Sequence, residues 1–302
     1  MTAAFFYKWR NVIHKISNLW MGISIFFIIL LPLSIGLGLV LKSLPIMEDY
    51  SFSSLILSSE WSPSEGKFGF LIFIISSLCL TILSFIIAAP ICVFSSIYLT
   101  QFAPNWLLKV MHLVIDVLAG IPSVVYGVWG IIVIVPFISN VVSPFINYSA
   151  SGYCLLAGSI VLAIMSIPYI LNMLIEVVRS MPIELKEASL SLGATEWETI
   201  KKVLLRQGSS GIIAALGLGI SKALGETIAV LMVVGNMVKM PHHLLDPAYP
   251  IPALIVNNYG DMMSIPMYDT ALMFSGLILF IIILLFNILS NLIIYRGKKK
   301  YE

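Results

Sequence analysis

The sequence predicts an all-α, polytopic membrane protein with six transmembrane helices. Three observations predict it. Of 302 residues, 59% are hydrophobic and only 11% charged, against about 25% charged in soluble domains. Mean hydropathy is +1.02. The apolar runs are continuous over the roughly 20 residues that cross a hydrocarbon core, and they lack the alternation of barrel strands. In lipid every backbone N–H and C=O must be satisfied within the chain, which leaves helices.

The spans fall at 19–41, 69–98, 113–138, 153–178, 211–236 and 269–295. The first follows Lys8, Arg10 and Lys15. Its apolar core exceeds the roughly 7–15 residues of a signal h-region and no A-x-A site follows, so it reads as a retained anchor. Residues 1–18 are then an N-terminal segment, 19–295 the membrane domain and 296–302 a basic tail. Pro90 interrupts the second span, Gly120-Ile121-Pro122 the third and Pro168 the fourth. Such breaks persist where neighbours or a water-lined cavity satisfy the freed backbone groups, so the spans are expected to form a bundle with an interior.

Orientation follows from the cations. Of 17 Lys and Arg, 13 lie on the side of the N-terminus, Lys42, Lys67 and Lys239 lie on the other, and Lys222 sits inside a span. The positive-inside rule places both termini in the cytoplasm. The outer loops carry Glu48, Asp49, Glu60, Glu65, Asp246, Asp261 and Asp269 instead. The outer segment 237–268 holds five prolines and is expected to be an irregular cap. His242 and His243 lie there and read as a solvated pair, with no third metal ligand close in sequence. Cys79, Cys92 and Cys154 read as small buried hydrophobes, without metal spacing.

The fifth span is the anomaly. On a helix, Gly211, Ala215, Gly219, Lys222 and Glu226 fall within an arc of about 80°. Ile213, Leu216, Ile220, Leu224, Ile228 and Leu231 take the far side. Small residues every four positions let helices approach closely in lipid. The charged face therefore looks into the protein. A charge at mid-bilayer costs about 2.5–3.5 kcal/mol, and Lys222 and Glu226, four apart, can neutralise each other. Two readings stand. Lys222 presents a cation to an anion in a pathway, with Glu226 making it tolerable; or the pair is structural glue. A proton relay through Glu226 lacks a second relay residue nearby.

The longest cytoplasmic segment, 179–210, predicts helix, glycine turn, helix. Pro182 suits a first turn, and Glu184 and Glu187 its positive end. Leu185, Ala188, Ser189 and Leu192 make one modestly apolar face. Gly193 is a helix stop, and Thr195 to Glu198 is a capping box opening the next helix. Such a helix fits a partner's groove or lies on the membrane.

The stretch EASLSLGATEWETIKKVLL resembles the cytoplasmic EAA loop of ABC-type importer permeases. Glu187, Ala188, Gly193, Val203 and Leu205 match its pattern; Ser189 replaces the second Ala, and Arg206 stands where Pro is usual. The resemblance implies that Leu185, Glu187, Ala188, Leu192, Gly193 and Ala194 couple to a separate ATPase. No phosphate-binding G-x-x-x-x-G-K-[ST] loop occurs in the chain. GIPSVVYGVWG (120–130) and ALGETIAVLMVVGN (223–236) resemble, more narrowly, the PstC-type permeases of phosphate importers, with Lys222 where Arg is usual. Lys is a point charge, whereas Arg grips phosphate with two bonds.

That resemblance implies one half of a phosphate channel in the bacterial inner membrane, with no covalent chemistry of its own. Lys222 and Glu226, with Ser123 and Tyr126 as weaker candidates beside ordinary packing, would line the route. The implied partners are a PstA-like second permease, two PstB-like ATP-binding subunits that hold the ATP and Mg, and a PstS-like external phosphate-binding protein. Rival readings are a permease for another oxyanion or nutrient, and a proton-coupled transporter using Glu226. A membrane enzyme lacks any clustered His or carboxylate constellation.

Overall fold

An apolar chain satisfies its backbone by forming helices, and this one does so over most of its length. The computed structural model describes residues 2–260, 265 and 267–299. Asp261 and Pro266 of the outer segment and Lys300 of the tail lie outside the described residues. Among those described, five helices are long and apolar enough to cross a membrane, or six if one bent pair counts as a single span.

Helix α1 (Thr2–Asp49) runs unbroken through the boundary expected at residue 18. Its side chains from Ile13 to Leu41 are largely exposed and apolar, as suits a helix on the lipid-facing rim. It touches the rest of the chain along the last helix, where Gly36 faces the Phe280 ring. A short helix α2 (Phe52–Leu57) and a two-stranded hairpin, β1 (Trp61–Ser62) with β2 (Lys67–Phe68), follow. Trp61 sets its ring edge-on against Phe70 and Phe73, about which the outer core cluster is built.

The centre of the bundle is the pair α3 (Leu71–Gln101) and α6 (Leu155–Arg179). Pro90 and Pro168 lie within these helices without ending them. The Cys92 thiol donates to the Ile167 carbonyl at 3.6 Å, joining the two helices beside Pro168. Cys154 caps α6 by accepting from the Ala157 N–H.

The third span differs from expectation. Helix α4 (Asn105–Gly120) is separate and amphipathic; its Leu108 and Ile115 pack into a cluster with Leu171, Leu174 and Ile175 of α6. Pro122 offers no N–H and drives Ile121 into an extended conformation. The membrane-crossing helix is α5 (Ser123–Phe145), which includes two π-helical turns, Gly130–Ile134 and Ile138–Val142. The sequence window at 113–138 spliced the end of one helix to the start of the next, because apolar content continues across the bend.

Between the fourth and fifth spans expected from the sequence, α7 (Ile183–Ser191) and α8 (Glu196–Gln207) form a hairpin. At Gly208 the chain turns by 70° into α9 (Ser209–Leu224). Sixteen residues rise about 24 Å, short of a bilayer core of about 30 Å. A break follows, then a single turn, α10 (Ile228–Leu231). The fifth span is thus broken where one helix over 211–236 was expected.

The described part of the proline-rich segment 237–268 is irregular around one short helix, and it is not a superficial cap. Residues 248–254 are buried. The N–H groups of Tyr249 and Ile251 reach the hydroxyls of Ser76 and Ser77 on α3 at 3.3 and 2.8 Å. Gly235 and Asn236, at φ +93° and +51°, turn the chain so that Ala248 pairs back with Val234. A short buried helix, α11 (Ile251–Asn258), leads toward the last helix, α12 (Tyr268–Lys299).

Candidate functional site

The small-residue ridge of α9 packs as its spacing predicts. A Cβ on Gly211 would lie 2.7 Å from a Val177 methyl, and one on Gly219 2.5 Å from Ile170. Ala215 is buried with Ile170 and Leu174, and Ala223 with Leu80 and Leu162. The opposite edge also closes tightly, since Gly217 meets the Ser290 side chain of α12. Beside it, the Ser221 hydroxyl bonds to Asn287 at 3.1 Å.

Lys222 stands beside this ridge, about 20 Å along the helix from Ser209. Its ammonium sits over the Tyr169 ring of α6, 4.4 Å from the ring centre. The side chain is exposed on this chain. Glu226 lies past the end of α9, in the break, half-buried. Among the described residues no ion pair joins the two. The expected i,i+4 pair on a continuous helix is therefore corrected. The helix stops at Leu224, with Gly225 and Glu226 returning their N–H groups to the carbonyls of Lys222 and Ala223. The cation is made tolerable by other means. It occupies the last turn of α9, the negative end of the helix dipole, and it rests on an aromatic face. Sequence reasoning missed Tyr169; its only signal was a tyrosine in an apolar run beside Pro168.

The two segments bearing the narrower resemblance, a hundred residues apart, meet in space. A Cβ on Gly127 would strike the Met232 sulfur at 2.5 Å and lie 3.2 Å from Ala229. Gly130 is wedged between Val161 and Val233. Tyr126 is buried, and its hydroxyl donates to the Leu118 carbonyl at 2.8 Å, tying α5 back across the Gly-Pro break to α4. Ser123 begins α5 and is half-buried.

The α7–α8 hairpin has the expected form. Pro182 precedes α7 as its cap instead of occupying its first turn. Gly193, at φ +83°, donates to the Leu190 carbonyl, and Ala194 donates to Ser189, the paired bonds of a Schellman stop. The Thr195–Glu198 capping box is complete, and Lys202 bonds Glu198 at 2.9 Å. These contacts hold the Glu198 carboxyl below its ordinary pKa, the Lys202 bond foremost. Ser189 and Thr199 share a hydroxyl bond at 2.9 Å that locks the two arms. Leu185 and Ala194 are half-buried; Glu187, Ala188 and Leu192 are exposed, Leu192 to 89%. The modest apolar face of α7 is thus split between the hairpin's interior and its tip.

At the opposite end Asp246, 6% exposed, accepts the Tyr148 hydroxyl and the N–H groups of His242 and His243 at 3.0 and 2.9 Å. The Tyr148 bond, with these N–H groups, holds its carboxyl below the ordinary carboxylate range. The His243 ring stacks on Tyr148 with centroids 4.4 Å apart. Among the described residues no three His, Cys, Asp or Glu side chains converge to hold a metal.

Long apolar helices, a glycine-turned hairpin and a cation at a broken helix end define an integral membrane protein built as a helical bundle. The family model described as "Binding-protein-dependent transport system inner membrane component" matches residues 92–300, and the chain belongs to that family. It is 36% identical over 261 residues, 82% of this chain and 80% of the relative, to a Xylella fastidiosa protein named "Phosphate transport system permease protein PstC". A Pasteurella multocida protein of the same name is 35% identical, covering 91% of this chain and 89% of the relative. The "Probable ABC transporter permease protein YqgH" of Bacillus subtilis is 40% identical, covering 80% and 78%. The fold is similar to a solved structure titled "Inward facing conformations of the MetNI methionine ABC transporter", at TM-score 0.58 and 21% identity, covering 74% of this chain and 94% of that one.

Proposed function

We propose that this chain is one of two membrane-spanning subunits of an ATP-driven importer of inorganic phosphate. An external phosphate-binding protein delivers the anion, a second permease completes the route, and two ATP-binding subunits dock on the α7–α8 hairpin. ATP-driven closure of those subunits moves the hairpin, and the spans switch the side to which the route opens. Such a switch requires the ATPase states to bind the two conformations differently. Both termini lie in the cytoplasm on this reading, supported by the distribution of Lys and Arg.

The reading rests on the Lys222 cation, exposed and not ion-paired with Glu226 among the described residues, in a chain whose relatives are named phosphate transport permeases. Lys222 would attract the anion as a point charge. The Tyr169 face would hold the ammonium between transport events without the competition of a neighbouring carboxylate. Ser123 is a weaker candidate for lining the route; Tyr126, its hydroxyl engaged, would position α5.

The test is reconstitution of the full complex in vesicles with labelled phosphate. ATP-dependent uptake that excess sulfate or molybdate does not compete away is the expected result. Uptake that survives ATP depletion and collapses with the proton gradient would replace this reading with the proton-coupled one. Equal competition by sulfate would shift the substrate to another oxyanion.

A further inference from the structure

We propose that a basic recess at the root of the coupling hairpin binds a phosphate group, separately from the Lys222 route. The recess has a volume of about 250 Å³ and gathers the ends of three elements. Thr100 and Gln101 end α3, Arg179 ends α6, and Lys186 lies on α7. Both charged residues lining it are cations, and no carboxylate lines it. In a chain with nearly as many acids as bases, 15 against 17, two cations line this hollow without an acid.

The polar groups are arranged as donors. Lys186 donates to the Gln101 side-chain oxygen at 3.0 Å, which fixes the ammonium while leaving further protons to give. The same bond engages the Gln101 side-chain carbonyl, the acceptor that would otherwise compete with an anion for the Lys186 ammonium. Arg179 has no ion-pair partner among the described residues. A guanidinium and an ammonium lining one recess suit the oxygens of a phosphoryl group. The position adds a second argument. Arg179 and Gln101 are the last residues of two membrane-crossing helices, so the recess opens at headgroup depth. Basic pockets between helices at that level take anionic headgroups. Free phosphate offers the same oxygens. Either occupant would tie α3 and α6 to α7, the element that carries the hairpin's movement.

The orientation of this site toward the cytoplasm rests on the proposed function, but its binding chemistry does not. The test therefore uses the purified full-length complex carrying Lys222→Gln, which removes the route cation, and reads binding instead of transport. One arm measures phosphatidylglycerol retained by native mass spectrometry from mixed phosphatidylglycerol–phosphatidylethanolamine nanodiscs. The other measures equilibrium binding of labelled inorganic phosphate in uncharged detergent. Arg179→Gln/Lys186→Gln is expected to lower one of the two at least tenfold, and the arm that responds identifies the source. Arg179→Lys/Lys186→Arg is expected to keep most of the binding. The proposal is overturned if neither arm responds to the neutral pair, if the charge-keeping pair loses as much, or if Lys201→Gln/Lys202→Gln lowers binding equally. Failure of the wild-type complex to take up phosphate, with binding at the recess intact, would count against the proposed substrate alone.

Discussion

The Lys222 ammonium lies 4.4 Å from the centre of the Tyr169 ring and makes no ion pair with Glu226 among the described residues. A cation over an aromatic face gains about 0.5–2 kcal/mol, less than a buried partner charge would impose on an incoming anion. Lys222→Ala is expected to abolish phosphate uptake while the complex still assembles. Tyr169→Phe should keep uptake, because the ring face remains. Tyr169→Leu should lower it several-fold. Glu226→Gln should leave most ATP-driven uptake in place. Wild-type uptake by Lys222→Ala in vesicles would remove Lys222 from the route.

What was legible in the sequence was whatever depends on one element at a time. The ridge of Gly211, Ala215, Gly219 and Ala223, the Gly193 stop and the Thr195–Glu198 box follow from spacing and local backbone chemistry, and they take those forms. What failed depended on where a helix stops inside an apolar run. Gly225, Glu226 and Thr227 end α9 without any proline, so hydropathy carried the span through to 236. The split at Gly120–Pro122 was visible as a break but was placed within a span instead of between two helices. Tyr169 and the Tyr148–Asp246 contact join residues 53 and 98 positions apart, which no local pattern reports.

Gly193 is a conformational requirement, not a packing one. Its φ is +83°, yet no atom lies within 4 Å of where a Cβ would stand. Gly193→Ala should therefore cost only the left-handed penalty of about 1–2 kcal/mol and leave coupling largely intact. Gly193→Pro cannot adopt that φ and also deletes the N–H that bonds Leu190. It should uncouple ATP hydrolysis from transport, seen as unchanged ATPase turnover with lost uptake. Unchanged coupling in the proline variant would sink the assignment of the hairpin.

Leu192, 89% exposed at the hairpin tip, has no partner surface on this chain that would reward its apolarity. Leu192→Asp is expected to reduce co-purification of the ATP-binding subunits at least tenfold, without changing the melting temperature of the isolated chain in detergent. Equal loss of both would mean that the residue serves the fold.

Asp246 locks the turn at His242–Asp246 around Tyr148. Its folded-state pKa is depressed, with the Tyr148 hydroxyl bond as the main cause. The linked stability is therefore present above the ordinary Asp value of 3.8 and is lost as the pH falls through the lower, folded value. Tyr148→Phe removes a hydrogen bond to a charged group and should lower stability where that group is ionised. Thermal unfolding in detergent should show that deficit at pH 7 and a shrinking one as the carboxyl protonates. A deficit that does not change with pH would show that the Tyr148 hydroxyl stabilises the turn without the ionised carboxylate, since the ring stacked on His243 is kept in the variant.

The close approach of α9 to α6 sets the platform on which Lys222 stands. A Cβ at Gly219 would lie 2.5 Å from the Ile170 Cγ1 and 2.6 Å from its Cδ1. Neither atom can retreat, because Ile170 is itself fully packed in the cluster around Leu174 and Ala215. Gly219→Leu should therefore push the helices apart at a cost of about 1–3 kcal/mol and carry Lys222 off the Tyr169 ring. Uptake should fall with stability. Adding Ile170→Ala opens the space the new side chain needs, so the double variant should recover both, which a defect confined to folding of α9 alone would not do. Measuring melting temperature and uptake together for the single and double variants separates the two. No recovery in the double variant would mean that Gly219 is required for helix geometry and not for clearance against Ile170.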